Sequence, residues 1–350
     1  MLIMLNTHTR RESTMKQRRS SVGFGVLWAA ALLVIGNMLP GAEATQVSRE
    51  SSGDRTVSSS FYEPYSLRGG AQENNADRYW TEEKMRSAVP ADGLKQEDYR
   101  PSNYSLPSQS RRIHVGKNVS EPAYPVPEPG YRTRNAVVPE TTGKVFFTYK
   151  GKDYVCSGAA INGPTKNVVA TAAHCVHGGK GEGWHENIAF APGYYNGVSR
   201  HGLWSWKTAH TFQKWINSSD SSRDQAFFTV YPRKGTELVN AVGGNGLSYN
   251  YGHRQSDVRV WGWPAGHPYN GKVPYYCDGN SRRWGLFSPD MVIPCDMTGG
   301  ASGGPWLRAR SDWNLGYVYG VTSRRTTSGE KLLISTPFDS SVKSLFEEIR

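Results

Sequence analysis

The chain has 350 residues, with 41 Lys or Arg against 30 Asp or Glu, for a formal net charge of +11. That length carries a sizeable core plus one or two further segments. The basic residues are scattered, with only short pairs such as Arg18-Arg19, Arg282-Arg283 and Arg324-Arg325, so they do not build the patch that a nucleic-acid partner needs, and none is expected. Four Cys with no C-x-x-C and no Cys/His set argue against zinc and suit an exported protein with two disulfides. His185-Glu186 begins like H-E-x-x-H but has no second His.

In chain order, the first element is an export signal over residues 1–44. Met15-Lys16-Gln17-Arg18-Arg19 is a basic region, Val22 to Met38 is apolar apart from small residues and Asn37, and Ala42-Glu43-Ala44 offers an A-x-A cleavage site. The apolar run is short for a full membrane span, so the expectation is cleavage, with membrane contact only during export and a secreted, extracellular product. Residues 45–134 are rich in Ser, Pro, Glu, Arg, Asn and Tyr, without sustained apolar periodicity. Such a segment buries too little apolar surface to offset its conformational entropy, and it is expected to be a largely disordered propeptide. Within it, Tyr79 to Met85 suggests a short helix ended by Pro90. Pro122, Pro125, Pro127 and Pro129 suggest an extended linker. Arg132 and Arg134 stand just before the first strand-like run and are the expected processing sites.

From Val137 the pattern becomes β-rich. The runs Val145–Tyr149, Tyr154–Ile161, Val168–Thr171, Ala226–Val230, Val258–Trp263, Tyr317–Thr322 and Lys331–Ile334 are separated by turn residues, which argues for an all-β domain over 135–350. Val342, Leu345, Phe346 and Ile349 recur at helical spacing and predict a C-terminal helix.

Two stretches carry chemistry. In Thr298-Gly299-Gly300-Ala301-Ser302-Gly303-Gly304-Pro305-Trp306 a serine lies between glycine pairs. Glycines permit a tight turn that presents the hydroxyl with backbone N–H groups beside it, which is the local form of an oxyanion hole. In Val169-Ala170-Thr171-Ala172-Ala173-His174-Cys175 a His ends an apolar strand. Together these stretches closely resemble the serine and histidine segments of the trypsin/chymotrypsin-like serine peptidases. The turns Pro192-Gly193-Tyr194-Tyr195-Asn196-Gly197 and Gly262-Trp263-Pro264-Ala265-Gly266 resemble the secreted bacterial and fungal, glutamyl-endopeptidase-like branch. The resemblance covers about residues 137–350 and is loose outside the two motifs.

It implies two six-stranded Greek-key β-barrels (about 135–240 and 241–340) and a C-terminal helix. It implies a monomeric endopeptidase acting on proteins or peptides, kept silent by its own propeptide and needing no metal or organic cofactor. By the same resemblance Ser302 is the nucleophile, His174 the base, and the N–H groups of Gly300 and Ser302 the oxyanion hole. Candidates for the acid are Asp220, Asp224, Asp257, Asp278, Asp290 and Asp296; Asp224, directly before the Ala226–Val230 run, fits the family's position. Ser323 matches the serine that buttresses that aspartate and opens the substrate-binding strand. Cys156 is expected to pair with Cys175, which leaves Cys277 and Cys295 for a second bridge.

Ala301 stands where animal enzymes carry Asp, and no I-V-G-G start is present. Activation by a new N-terminal ammonium is therefore closed to this chain, and Thr298 is the candidate to hold the oxyanion loop. Asp296, six residues before Ser302, has the spacing of a pocket-floor carboxylate that reads a basic P1 side chain. Thr298, Thr322 and Arg324-Arg325 would instead serve an acidic one. The spacing of Asp296 favours a basic P1.

Overall fold

The computed structural model describes residues 56–60, 75–94, 115–126 and 138–350. The expected signal sequence and the processing candidates Arg132 and Arg134 lie outside the described residues. No helix among the described residues is long and apolar enough to cross a membrane.

Six strands form a closed barrel: β1 Thr142–Tyr149, β2 Lys152–Ile161, β3 Val168–Thr171, β4 Glu186–Pro192, β5 Trp204–Phe212 and β6 Ala226–Val230. Hydrogen bonding runs β5–β6–β3–β2–β1–β4, and β4 returns to β5 through Phe190 opposite Trp204. Lys150 and Gly151, both at positive φ, link β1 to β2, the geometry of a two-residue hairpin turn that follows the strand twist. Alternate side chains point inward. Phe228 joins Val145, Phe147, Cys156, Val169, Phe190 and Trp204 inside the barrel, while its neighbour Phe227 faces outward to the second half of the domain.

The second half comprises β7 Gly246–Tyr249, β8 Val258–Gly262, β9 Tyr275–Gly279, β10 Met291–Pro294, β11 Pro305–Arg308, β12 Tyr317–Val321 and β13 Leu332–Ser335. One sheet runs β9–β8–β11–β12–β7, and β10 and β13 pair in another. The two share a core of Val258, Val260, Met291, Ile293, Trp306, Tyr319 and Leu333. The architecture is the all-β, two-barrel arrangement expected from the sequence.

The helix Ser340–Ile349 closes the seam between the halves. Its start is fixed by Asp339, whose carboxylate accepts from the amides of Ser341 and Val342. Val342, Leu345 and Phe346 are buried against Phe227, Phe338 and Leu247. Cys156–Cys175 and Cys277–Cys295 are both bridged, over sequence separations of 19 and 18 residues. Closing loops of that length stabilises a fold by about 3 kcal/mol each in the chain-entropy account.

Parts of the polar stretch before the barrels are ordered. Helices Asn75–Tyr79 and Glu82–Ser87 pack on the first barrel, with Ala76 and Trp80 buried. Lys117–Ser120 pairs with β7, and the amide of Ala123 donates to the Gly244 carbonyl at 2.8 Å. Average composition hides this, because a single Trp supplies a large apolar anchor. Trp80 is 2% exposed and its ring lies 5.2 Å from that of Phe146.

Candidate active site

His174 sits in the short turn Ala173–Cys175 directly after β3, held by the Cys156–Cys175 bridge to the neighbouring strand. Asp224 ends a short 3-10 turn just before β6, the strand that pairs with β3. That pairing brings residues 50 apart in sequence side by side. The Asp224 carboxylate is 4% exposed and accepts three hydrogen bonds: His174 N at 2.9 Å, His174 Nδ1 at 2.8 Å and Ser323 Oγ at 2.7 Å. Of the six acid candidates, Asp224 alone makes these bonds to His174 and Ser323.

Each partner shifts the other. Burial disfavours the Asp224 charge, but the His174 charge and the hydrogen bonds from His174 and Ser323 more than offset it, and its pKa is lowered. Burial likewise disfavours the imidazolium, but the Asp224 carboxylate, with help from Asp92, raises the His174 pKa above the ordinary value. With Nδ1–H donating to Asp224, Nε2 is the basic nitrogen. It is buried and has no hydrogen-bond partner among the described residues.

Ser302 lies on the turn between β10 and β11, 3% exposed. The glycines that follow it are required. Gly303 has φ +79°, and a Cβ there would sit 2.1 Å from Thr171 Oγ1; one on Gly304 would sit 2.0 Å from the Trp261 carbonyl oxygen. Such approaches exclude any side chain. Gly300 has φ +97°, a conformation that favours glycine. Its amide and the Ser302 hydroxyl both donate to one oxygen of Asp92, at 3.4 and 2.9 Å. The Gly300 amide, one of the two expected oxyanion donors, thus points at a carboxylate oxygen beside the nucleophile.

The loop is held from several sides. Ser157 Oγ donates to the Gly300 carbonyl at 2.9 Å and accepts from Trp263 N at 3.0 Å. The amides of Ala265 and Gly266 donate to the Gly299 carbonyl, and Thr298 Oγ1 donates to the Gly266 carbonyl at 2.7 Å. Thr298 was expected in this role; Ser157 was not, and nothing beyond its place next to Cys156 marks it. Ala301 is 1% exposed and packs with Met297 in the second core, so an apolar contact occupies the place of a carboxylate.

The remaining expected pocket residues are distributed differently. Thr322 is buried, and its hydroxyl accepts from Trp306 Nε1 at 3.0 Å. Arg324 pairs with the buried Asp290. Asp296 is exposed, and its carboxylate accepts from the Tyr269 hydroxyl at 2.7 Å. The spacing to Ser302 suggested a pocket floor. Asp296 is exposed beside the buried Cys295, and an exposed carboxylate is screened by water.

His185, set aside in the sequence as a broken metal motif, supports the base. Its ring stacks on Phe147 at 4.4 Å, and Nε2 lies 3.1 Å from the His174 carbonyl oxygen. Burial pushes its pKa down to about 3. Between an unfolded value of about 6.5 and that folded value the unfolded chain binds the extra proton. Stability therefore falls as pH drops through this window, by up to about 1.4 kcal/mol per pH unit from this group. The raised His174 pKa acts oppositely, its contribution being present below about 6.5 and lost as pH rises through the folded value. The expected result is a urea midpoint that declines from pH 6.5 to pH 4, with a shallower decline in His185→Phe. An unchanged slope in that variant would show that His185 is not the group responsible.

No protein-family model and no curated protein sequence matches the chain. Solved structures do. The thermostable serine protease AL20 from an extremophilic microorganism is 31% identical, with a TM-score of 0.57, over 60% of this chain and 96% of that one. The protease Anisep from Arthrobacter nicotinovorans is 30% identical, with a TM-score of 0.56, over 61% of this chain and 96% of that one. Similarity falls to 19% identity and a TM-score of 0.49 for a Glu endopeptidase in complex with MPD, over 62% of this chain and 94% of that one.

Proposed function

Because the chain belongs to the trypsin-like serine peptidases, we propose that it hydrolyses peptide bonds through Ser302, His174 and Asp224 by way of an acyl-enzyme. The observation that carries this reading is the buried Asp224 carboxylate, bonded at once to His174 Nδ1, His174 N and Ser323 Oγ. It fixes the tautomer in which Nε2 takes a proton. Ser302 Oγ attacks the scissile carbonyl while its proton passes to His174 Nε2. The amides of Gly300 and Ser302 receive the oxyanion. His174 returns the proton to the departing amine, and the acyl group remains on Ser302. Water then attacks the ester, giving its proton to His174, and the carboxylic product leaves with Ser302 restored. Losing one oxyanion donor typically costs about 3 kcal/mol of transition-state stabilisation.

The remaining parts of the reading follow from the sequence: a signal peptide over 1–44, a propeptide over 45–134 removed near Arg134, and secretion of a monomeric enzyme. Two disulfides suit that destination.

The test is cleavage of a peptide library by the secreted protein and by Ser302→Ala, with Arg and Glu compared at P1. The library is cleaved by the first and left intact by the second. Asp296→Ser is expected to change turnover of Arg-P1 substrates by less than about fivefold, the range of an exposed ion pair. A selective loss of Arg-P1 cleavage much larger than that would return Asp296 to the substrate pocket.

A further inference from the structure

We propose that residues 75–94 are a built-in inhibitor that docks on the first barrel and lays the Asp92 carboxylate on the nucleophile and the Gly300 amide; this rests on Ser302 being the nucleophile.

The docking surface is built, and the segment fits it at several points. The Ala76 amide donates to Ser205 Oγ at 2.8 Å, and Asp77 pairs with Arg233. Trp80 is buried and donates from Nε1 to the Asn187 carbonyl at 2.7 Å. The Tyr79 hydroxyl donates to Asp153 at 3.0 Å and accepts from Thr148 Oγ1 at 2.9 Å. Beyond these anchors Val89 and Pro90 run parallel to Tyr154 and Val155 at the start of β2. Ala91 is 1% exposed, in one cluster with the bridged Cys156 and Cys175.

These anchors deliver Asp92 to the site. Its Oδ1 accepts from Ser302 Oγ at 2.9 Å and from Gly300 N at 3.4 Å, and Oδ2 lies 3.9 Å from Arg325 Nε. Contact with the oxyanion loop is close. A Cβ on Gly299 would meet Pro90 Cβ at 2.9 Å and Asp92 Cγ at 3.1 Å.

Two consequences follow. The Ser302 hydroxyl gives its hydrogen to Asp92, while His174 Nε2 has no hydrogen-bond partner among the described residues, so the nucleophile is disconnected from its base. The group held against Ser302 is a side-chain carboxyl, whose carbon carries no amine to be displaced. The segment therefore occupies the site without offering it a bond to cleave. Arg325 lies beside the Asp92 carboxylate and loses that partner when the segment leaves.

The experiment follows the rate at which a peptidyl diphenyl phosphonate labels Ser302 in the unprocessed chain, read by intact mass so that only the full-length species is counted. Wild type, Asp92→Ala, Asp92→Asn and Ser302→Ala are compared, and the secreted, processed form serves as reference. The expected result is labelling at least about tenfold faster in both Asp92 variants than in unprocessed wild type, with none in Ser302→Ala. A synthetic peptide of residues 75–94 is expected to slow labelling of the processed form, and the same peptide with Asp92→Ala to be weaker. Equal rates in unprocessed wild type and both Asp92 variants would overturn the proposal while leaving the nucleophile assignment intact. So would labelling that appears only after processing, whatever residue 92 is. No labelling of Ser302 in any form, the processed one included, would instead remove the function on which the proposal rests.

Discussion

Ser302→Ala lowers kcat by roughly a million-fold and leaves KM nearly unchanged, the pattern for a group that acts in the transition state rather than in substrate binding. The hydroxyl is small and 3% exposed, and the turn around it is fixed by Ser157, Thr298 and the Gly303 and Gly304 contacts, so the variant folds as the parent does. His174→Ala has a similar effect, and the double variant is no worse than either single one, because nucleophile and base act as one unit. Residual hydrolysis about a thousandfold above the uncatalysed rate remains from the oxyanion donors and substrate binding. Steady-state kinetics on a chromogenic peptide, with thermal melts of each variant, provides the check. Turnover by Ser302→Ala within tenfold of wild type would end the assignment.

Asp224→Asn lowers kcat by about ten-thousand-fold near neutral pH. The carboxylate accepts from three donors: His174 N, His174 Nδ1 and Ser323 Oγ. Asparagine offers one acceptor oxygen and an NH2 group. When NH2 faces His174 Nδ1, the ring holds its proton on Nε2 and loses the basic nitrogen that Ser302 needs. When NH2 faces the opposite way, donors are set against donors in a buried site. That mismatch costs about 1–3 kcal/mol of stability, a second readout in the same variant. Ser323→Ala, which removes a single donor, is expected to fall well short of the same loss.

The parts of this site that the sequence made legible are those whose chemistry is local. Glycines are needed after Ser302 because Thr171, Ser157 and Trp261 crowd Gly303 and Gly304, and before it because the Trp263 carbonyl crowds Gly300, and that requirement is written as a contiguous motif. His174 and Cys175 are adjacent, so the bridge and the base appear together. Asp224 was harder to select, since proximity to His174 comes from the pairing of β6 with β3; only its place before a strand marked it. The support from Ser157 was not legible, because it spans 143 residues and no local pattern encodes it. Asp296 shows the limit of spacing. Spacing along the chain located it but said nothing of burial, and the Tyr269 hydroxyl and solvent determine its surroundings. The segment over 75–94 was masked by its polar average, although Ala76, Trp80 and Ala91 are buried.

The most direct measurement of the central claim is the site and pH dependence of covalent labelling in the secreted protein. The account predicts one phosphonate adduct per chain, mapped to Ser302, formed faster as His174 loses its proton and absent in His174→Ala. An adduct on another residue, or undiminished labelling in His174→Ala, would contradict it.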